Sequence, residues 1–356
     1  AIPDSSYYHY REAQMLYDAL GNQYNSGRML YNMAAVQTDV KDYTGSEITT
    51  IKAIELLKPL DKYKQLYQCY NNLGIVSLKL NEYDLALENY EEAFSYLNKF
   101  DDTDNAKETV LNNIGLVYLE KRQYQKAITY FDQVLKTKDL LNKNATLYAT
   151  ALNNYANCKL KLDDIAEVKE HLDRALQIRD SIGDIVGVST SNYNLVEYHL
   201  RQKDTSLAIL QAQKAKTYSE QSSNNERLLE TLKLLAVIDA KNSVVYTQNY
   251  IALNDSLQRE ERRARDKFTR IRFETNETLI ENQTLTKKKQ VWTGIAVGLL
   301  LAGTAFYIIV DQRIKNQTLR FQQQQQASNQ EIFNLLLSQK QKVEEGKQLE
   351  QKRISE

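Results

Sequence analysis

The chain repeats itself. The segments "YNNLGIVSLKLNEYDLALENYEEAF" (70–94), "LNNIGLVYLEKRQYQKAITYFDQVL" (111–135), "LNNYANCKLKLDDIAEVKEHLDRAL" (152–176) and "NYNLVEYHLRQKDTSLAILQAQKAK" (192–216) align with Gly74, Gly115, Ala156 and Val196 in one column, a period of 40 or 41 residues. A unit of this length is one helical hairpin that cannot bury its apolar face alone, so such a chain must stack its copies into a solenoid. Composition agrees: only two prolines and eleven glycines interrupt 356 residues, which predicts helix nearly everywhere. An earlier copy aligns at Met33 and Ala34, and Ala53 stands in column with Ala93, Val134, Ala175 and Ala215. Ala13 marks a half-repeat at the start, giving five hairpins and a fragment.

Two antiparallel helices approach closely only where small side chains face each other, with bulky residues a turn away filling the groove between hairpins. Tyr70, Leu73, Gly74, Ala86, Tyr90 and Ala93 meet that need, as do Leu111, Ile114, Gly115, Tyr118, Ala127, Phe131 and Val134. With this spacing the chain resembles the tetratricopeptide repeat family. The resemblance implies that Gly74, Ala86, Ala93, Gly115, Ala127, Ala175 and Ala215 are the packing positions. The departures are the long period, which implies longer helices, and Thr50, Leu172 and Ala212 where the family has an aromatic residue. The expected fold class is all-α: a tetratricopeptide-type helical-hairpin solenoid over residues 1–242, then a long connector helix (243–290), one transmembrane helix (291–310) and a coiled-coil-like signalling helix (311–356).

Solenoids of this kind are binding surfaces, and one column points to a groove. Asn32, Asn72, Asn113, Asn154 and Asn194 each lie two residues before a pivot and are expected to project in one line. A carboxamide offers both a donor and an acceptor, so such a row pairs with the backbone of an extended peptide whatever its side chains. The alternative is that each Asn hydrogen-bonds within its repeat. Asn71, Asn112, Asn153, Tyr31 and Tyr193 adjoin the row and enlarge the polar, aromatic strip.

"VWTGIAVGLLLAGTAFYIIV" (291–310) is twenty residues without a charge. At about 1.5 Å per residue it spans about 30 Å, the thickness of the hydrocarbon layer, with Trp292 and Tyr307 placed for the headgroup regions. Lys287, Lys288 and Lys289 precede it and Arg313, Lys315 and Arg320 follow it, so the flanking charges do not assign sides. Ala1 in place of a methionine suggests that residues precede this sequence. From about Val244 to the span no helix breaker intervenes, predicting a helix of about 45 residues and roughly 65 Å. Its stretch "RARDKFTRIRFET" (263–275) is basic, but Glu260, Glu261, Asp266 and Glu274 dilute the charge, and Phe268, Ile271 and Phe273 suggest a packing face. The stretch is similar to the connector of membrane sensors that carry these repeats. After the span, Ile332, Leu335, Leu336, Val343, Leu349 and Ile354 form a sparse apolar side, interrupted by Gln339, Lys342 and Gly346, which predicts weak homodimeric pairing.

The last residues, "QKRISE" (351–356), are similar to the approach to the phosphoacceptor box of bacterial sensor histidine kinases, where Arg-Ile-Ser is followed by an acidic residue and Leu-His-Asp. The order of repeats, connector, span, signalling helix and this tail resembles such a kinase up to that box. The resemblance implies an ATP-dependent kinase domain downstream and a response regulator as its partner. It also implies a bacterial inner membrane location, with periplasmic repeats and a cytoplasmic C-terminal helix. The competing expectation is a membrane-anchored scaffold without kinase activity.

These residues themselves carry no recognisable chemistry, and neither catalysis nor a cofactor is expected of them. His9, His171 and His199 stand alone, no phosphate-binding loop occurs, and "DDTDN" (101–105) lacks the glycine and closing glutamate of a calcium loop. Cys69 and Cys158 read as core thiols. With zero net charge and charges of alternating sign, nucleic acid is not an expected partner.

Overall fold

The computed structural model describes residues 3–101 and 105–355, and the side chains of residues 5–101, 105–271 and 284–350. Residues 102–104 of the acidic "DDTDN" segment, the side chains of Arg272, Phe273 and Glu274, and those of the "QKRISE" tail lie outside that description. The described residues form helices and turns, with no strand among them.

Helix α1 (Pro3–Ala19) is the half-repeat; the hairpins α2 (Gln23–Asp39) with α3 (Tyr43–Leu57), α4 (Tyr63–Lys79) with α5 (Tyr83–Tyr96), and α6 (Ala106–Glu120) with α7 (Tyr124–Leu135) follow. After the single turn α8 (Leu140–Lys143) come α9 (Ala145–Lys161) with α10 (Val168–Ser181), α11 (Ile185–Arg201) with α12 (Thr205–Gln221), and α13 (Asn225–Ile238). The chain continues in α14 (Ser243–Ser355). Each helix packs on its hairpin partner, and the first helices α2, α4, α6, α9, α11 and α13 touch in succession to form the inner face.

The hairpins close over their small residues. Ala86, Ala93, Ala127, Ala175 and Ala215 are fully buried. The Tyr90 ring lies on Gly74, and a Cβ built on Gly115 would stand 2.6 Å from the Phe131 ring. Thr50, Leu172 and Ala212, which replace the aromatic residue elsewhere, are equally buried. Helix ends that lack glycine or proline are made by a recurring turn. A residue with positive φ, Lys41 (62°), Asn81 (63°), Arg122 (58°) or Lys203 (58°), is followed by the residue that opens the next helix. The N–H of that next residue bonds back five positions, Asp42 to the Gln37 carbonyl at 2.8 Å, Glu82 to Ser77 at 2.8 Å and Asp204 to His199 at 2.9 Å. These bonds satisfy the last carbonyls of each helix and offset the cost, about 1 kcal/mol, of holding an L-residue left-handed. Asp42 and Asp204 then cap the following helix with a side-chain oxygen, as does Asp184 after the left-handed Gly183.

The chain divides into two compact units, Ala1–Thr275 and Asn276–Glu356. The division differs from the expected edge at 242/243, because the first part of α14 is packed on the repeats. Phe268 and Ile271 are buried in the same core as Tyr7, Leu30, Met33 and Leu57, and the Phe268 ring stacks on Tyr7 at 4.5 Å between centroids. Lys41 holds Glu261 at 3.0 Å one to two turns earlier. In the second unit, Thr284–Glu350 contains an eighteen-residue window of mean hydropathy 2.1 that no described part of the chain covers. Trp292, Leu299, Leu300 and Phe306 are each about 70% exposed. This helix is long and apolar enough to cross a membrane.

The Gly115 contact generates a test. Gly115→Ala should destabilise the repeat unit by about 1–3 kcal/mol through overpacking, and Gly115→Ala with Phe131→Leu should recover part of that loss in denaturant melts.

Candidate functional site

The inner face is built from polar positions two or three residues before each pivot, where the first helices meet. Asn113 Nδ2 donates to Asn71 Oδ1 at 3.0 Å, and Asn154 Nδ2 donates to Asn112 Oδ1 at 3.2 Å. These two asparagines of the expected row thus pair with the residue three before the pivot of the preceding repeat. The middle of the row is tied across neighbouring repeats, and each pair keeps one carboxamide acceptor or donor for a ligand. Asn32 and Asn194 are half-buried, and Asn194 lines a concavity with Tyr193 and Asn157.

Asn72 departs from the row. It is buried, and its Nδ2 donates to Ser46 Oγ and Thr50 Oγ1, both at 3.0 Å, while its Oδ1 accepts from Thr38 Oγ1 at 3.1 Å. The reason is local: Ser46 and Thr50 occupy the columns of Ala86 and Tyr90, so α3 presents hydroxyls where later repeats present methyl groups and a ring. Asn72 turns inward to satisfy them and is a structural residue, not a groove residue.

Two concavities of about 500 and 520 Å³ open on this face. The first lies among α9, α11 and α13 and is crossed by Lys161, which bonds both Glu197 oxygens at 2.8 Å. The second lies between α4, α6 and α13, where Lys79 meets Glu226 at 3.4 Å. Arg227 sits 4.4 Å over the Tyr193 ring and pairs with Glu230. A third, of about 410 Å³, separates the α2–α3 turn from residues 257–264 of α14. Burial works against the Lys41 ammonium there, yet the Glu261 hydrogen bond and the charges of Glu261 and Glu226 raise its pKa above the ordinary value.

Sequence reasoning missed Arg179. Buried on α10, it donates to the Gly187 carbonyl at 2.6 Å and to Thr150 Oγ1 at 3.0 Å, so one guanidinium ties α9, α10 and α11. Burial lowers its pKa, opposed by Asp184. The sequence signal was faint: an arginine in the last turn of a helix, five residues before a capping aspartate. Cys69 and Cys158 are free and buried, and burial pushes both thiols up to about 12. Among the described residues no three His, Cys, Asp or Glu side chains gather to hold a metal.

Comparison with known proteins places this geometry. The tetratricopeptide repeat family model matches residues 70–139 and 106–181, which spans α4 to α10. No curated protein matches the sequence. BtubC from P. vanneervenii is similar in structure at a TM-score of 0.52 and 18% identity, over 63% of this chain and 93% of that one. The Rap conjugation gene regulator of plasmid pLS20, solved with the Phr* peptide, gives 0.54 at 13% identity over 69% and 73%. The apo quorum sensor NprR from B. thuringiensis gives 0.54 at 19% identity over 64% and 65%. These likenesses establish the helical-repeat fold.

His199 makes the repeats sensitive to acid. Its imidazole is buried, and burial, with Lys169 nearby, lowers its pKa below 6.5 against the pull of Asp204 and Asp173. Below about pH 6.5 the unfolded chain therefore binds more protons than the folded one, and stability falls with pH in that window. The thermal midpoint should drop between about pH 7 and 5, and His199→Gln should flatten that drop in circular-dichroism melts.

Proposed function

We propose that this chain is the sensing and transmitting part of a membrane-bound two-component histidine kinase, whose repeats bind a peptide or protein on their inner face. The observation that carries the reading is the seat of α14 on the first repeat. Tyr7 stacks on Phe268 and Lys41 holds Glu261, so any change in repeat packing is felt by the helix whose sequence continues into the apolar stretch 291–310. A ligand acts only through its different affinity for two arrangements of that seat. The Rap regulator's Phr* peptide supports a peptide as the ligand class.

The apolar stretch supports a single membrane crossing, since an uncovered surface of this kind needs a nonaqueous neighbour. The tail similar to the approach to a phosphoacceptor box supports a kinase, which needs cytoplasmic ATP. Under this reading the repeats are periplasmic, residues after 310 are cytoplasmic and pair in a homodimer, and a response regulator receives the phosphoryl group.

Three measurements test it. Alkaline phosphatase fused after residue 280 should be active in a bacterial host and inactive after residue 330; the reverse pattern rejects the orientation. In a panel of random hexapeptides screened against the reconstituted chain, Asn113→Ala with Asn154→Ala should weaken captured peptides about ten-fold while helix content is kept. Equal affinity rejects the groove. Phe268→Ala should cost the repeat unit about 3–5 kcal/mol by emptying the seat of α14, read as a lower denaturant midpoint.

A further inference from the structure

We propose that the concavity between α4, α6 and α13 takes a lysine or arginine side chain of an extended peptide; this rests on the peptide-groove reading above and gives it a residue class. The argument is an excess of acceptors. Glu120, Glu226 and Glu230 line the concavity against only two cations, Lys79 and Arg227. Both cations are already engaged: Lys79 with Glu226 at 3.4 Å, and Arg227 with Glu230 and the Tyr193 ring. Glu120 is exposed and has no ion-pair partner among the described residues.

A second, independent observation lies at the lining. Tyr90 is fully buried, lines this concavity, and its hydroxyl has no hydrogen-bond partner among the described residues. An unmade hydrogen bond on a buried hydroxyl is unfavourable, so a ligand atom that reaches it supplies a missing partner. Asn113 spends its Nδ2 on Asn71, leaving Oδ1 as a further acceptor in the same lining. Leu78 and Leu116 supply apolar surface for the methylene stem of a long side chain whose charged head reaches Glu120. A carboxylate ligand would meet a lining with one carboxylate in excess of its cations and would be disfavoured.

The site also has a lever. Glu226 lines both this concavity and the one beside residues 257–264 of α14, and its charge acts on Lys41, the partner of Glu261. An arriving cation competes with Lys79 for Glu226, and the competition is felt where α14 is seated.

The experiment uses the full chain in nanodiscs and four N-acetylated, C-amidated heptapeptides of alanine with Lys, Arg, Met or Glu at the centre, followed by thermophoresis to millimolar concentration. The Lys and Arg peptides should bind about ten-fold tighter than the Met and Glu peptides, with the preference shrinking as salt is raised. Glu120→Gln should abolish most of the preference. Tyr90→Phe keeps the ring on Gly74, so it should reduce the preference two- to three-fold with an unchanged or higher thermal midpoint. Peptides that bind without charge preference, or a preference unmoved by Glu120→Gln, overturn this site and leave the groove reading standing. No binding by any of the four overturns both.

Discussion

The structure depends on how closely two helices approach where one of them has almost no side chain. In the second and third hairpins an aromatic ring, Tyr90 or Phe131, lies on a glycine of the partner helix, Gly74 or Gly115. The buried residues one turn either side, Ala86 and Ala93 or Ala127 and Val134, let the backbones stay close along the crossing. That contact sets the hairpin, and the hairpin sets which residues remain on the inner face. Packing at van der Waals density leaves no slack, so the repeats transmit displacement to whatever they hold.

What they hold is the beginning of α14. A helix that enters the core through Phe268 and Ile271 and is held at its rim by Lys41 and Glu261 is part of the repeat unit and does not merely follow it. The surface ion pair is a weak tether and the buried ring is the anchor, since exposed pairs contribute about 0–1 kcal/mol while burying an aromatic side chain contributes several times that. The geometry therefore makes the seat of α14 an apolar latch with a charge-sensitive edge, and the polar inner face lies next to it.

Polar side chains decide the differences between repeats. Asn113 and Asn154 tie neighbouring first helices while keeping hydrogen-bonding capacity, whereas Asn72 is consumed by Ser46 and Thr50. The same residue in the same column thus acts as lining in one repeat and as mortar in another. The cause lies on a different helix, in what replaces alanine and tyrosine on α3.

The hairpins, their period, the small-residue pivots and the uncharged stretch at 291–310 were legible in the sequence, because each is a local pattern repeated or sustained over many residues. The packing face of the basic segment was half legible, through Phe268 and Ile271. The inward turn of Asn72, the Arg179 tie across three helices and the docking of α14 on α1 were decided only by the tertiary structure. Each joins residues far apart in the chain, and no spacing rule specifies which buried donor finds which acceptor once a solenoid has wound back on its own first helix.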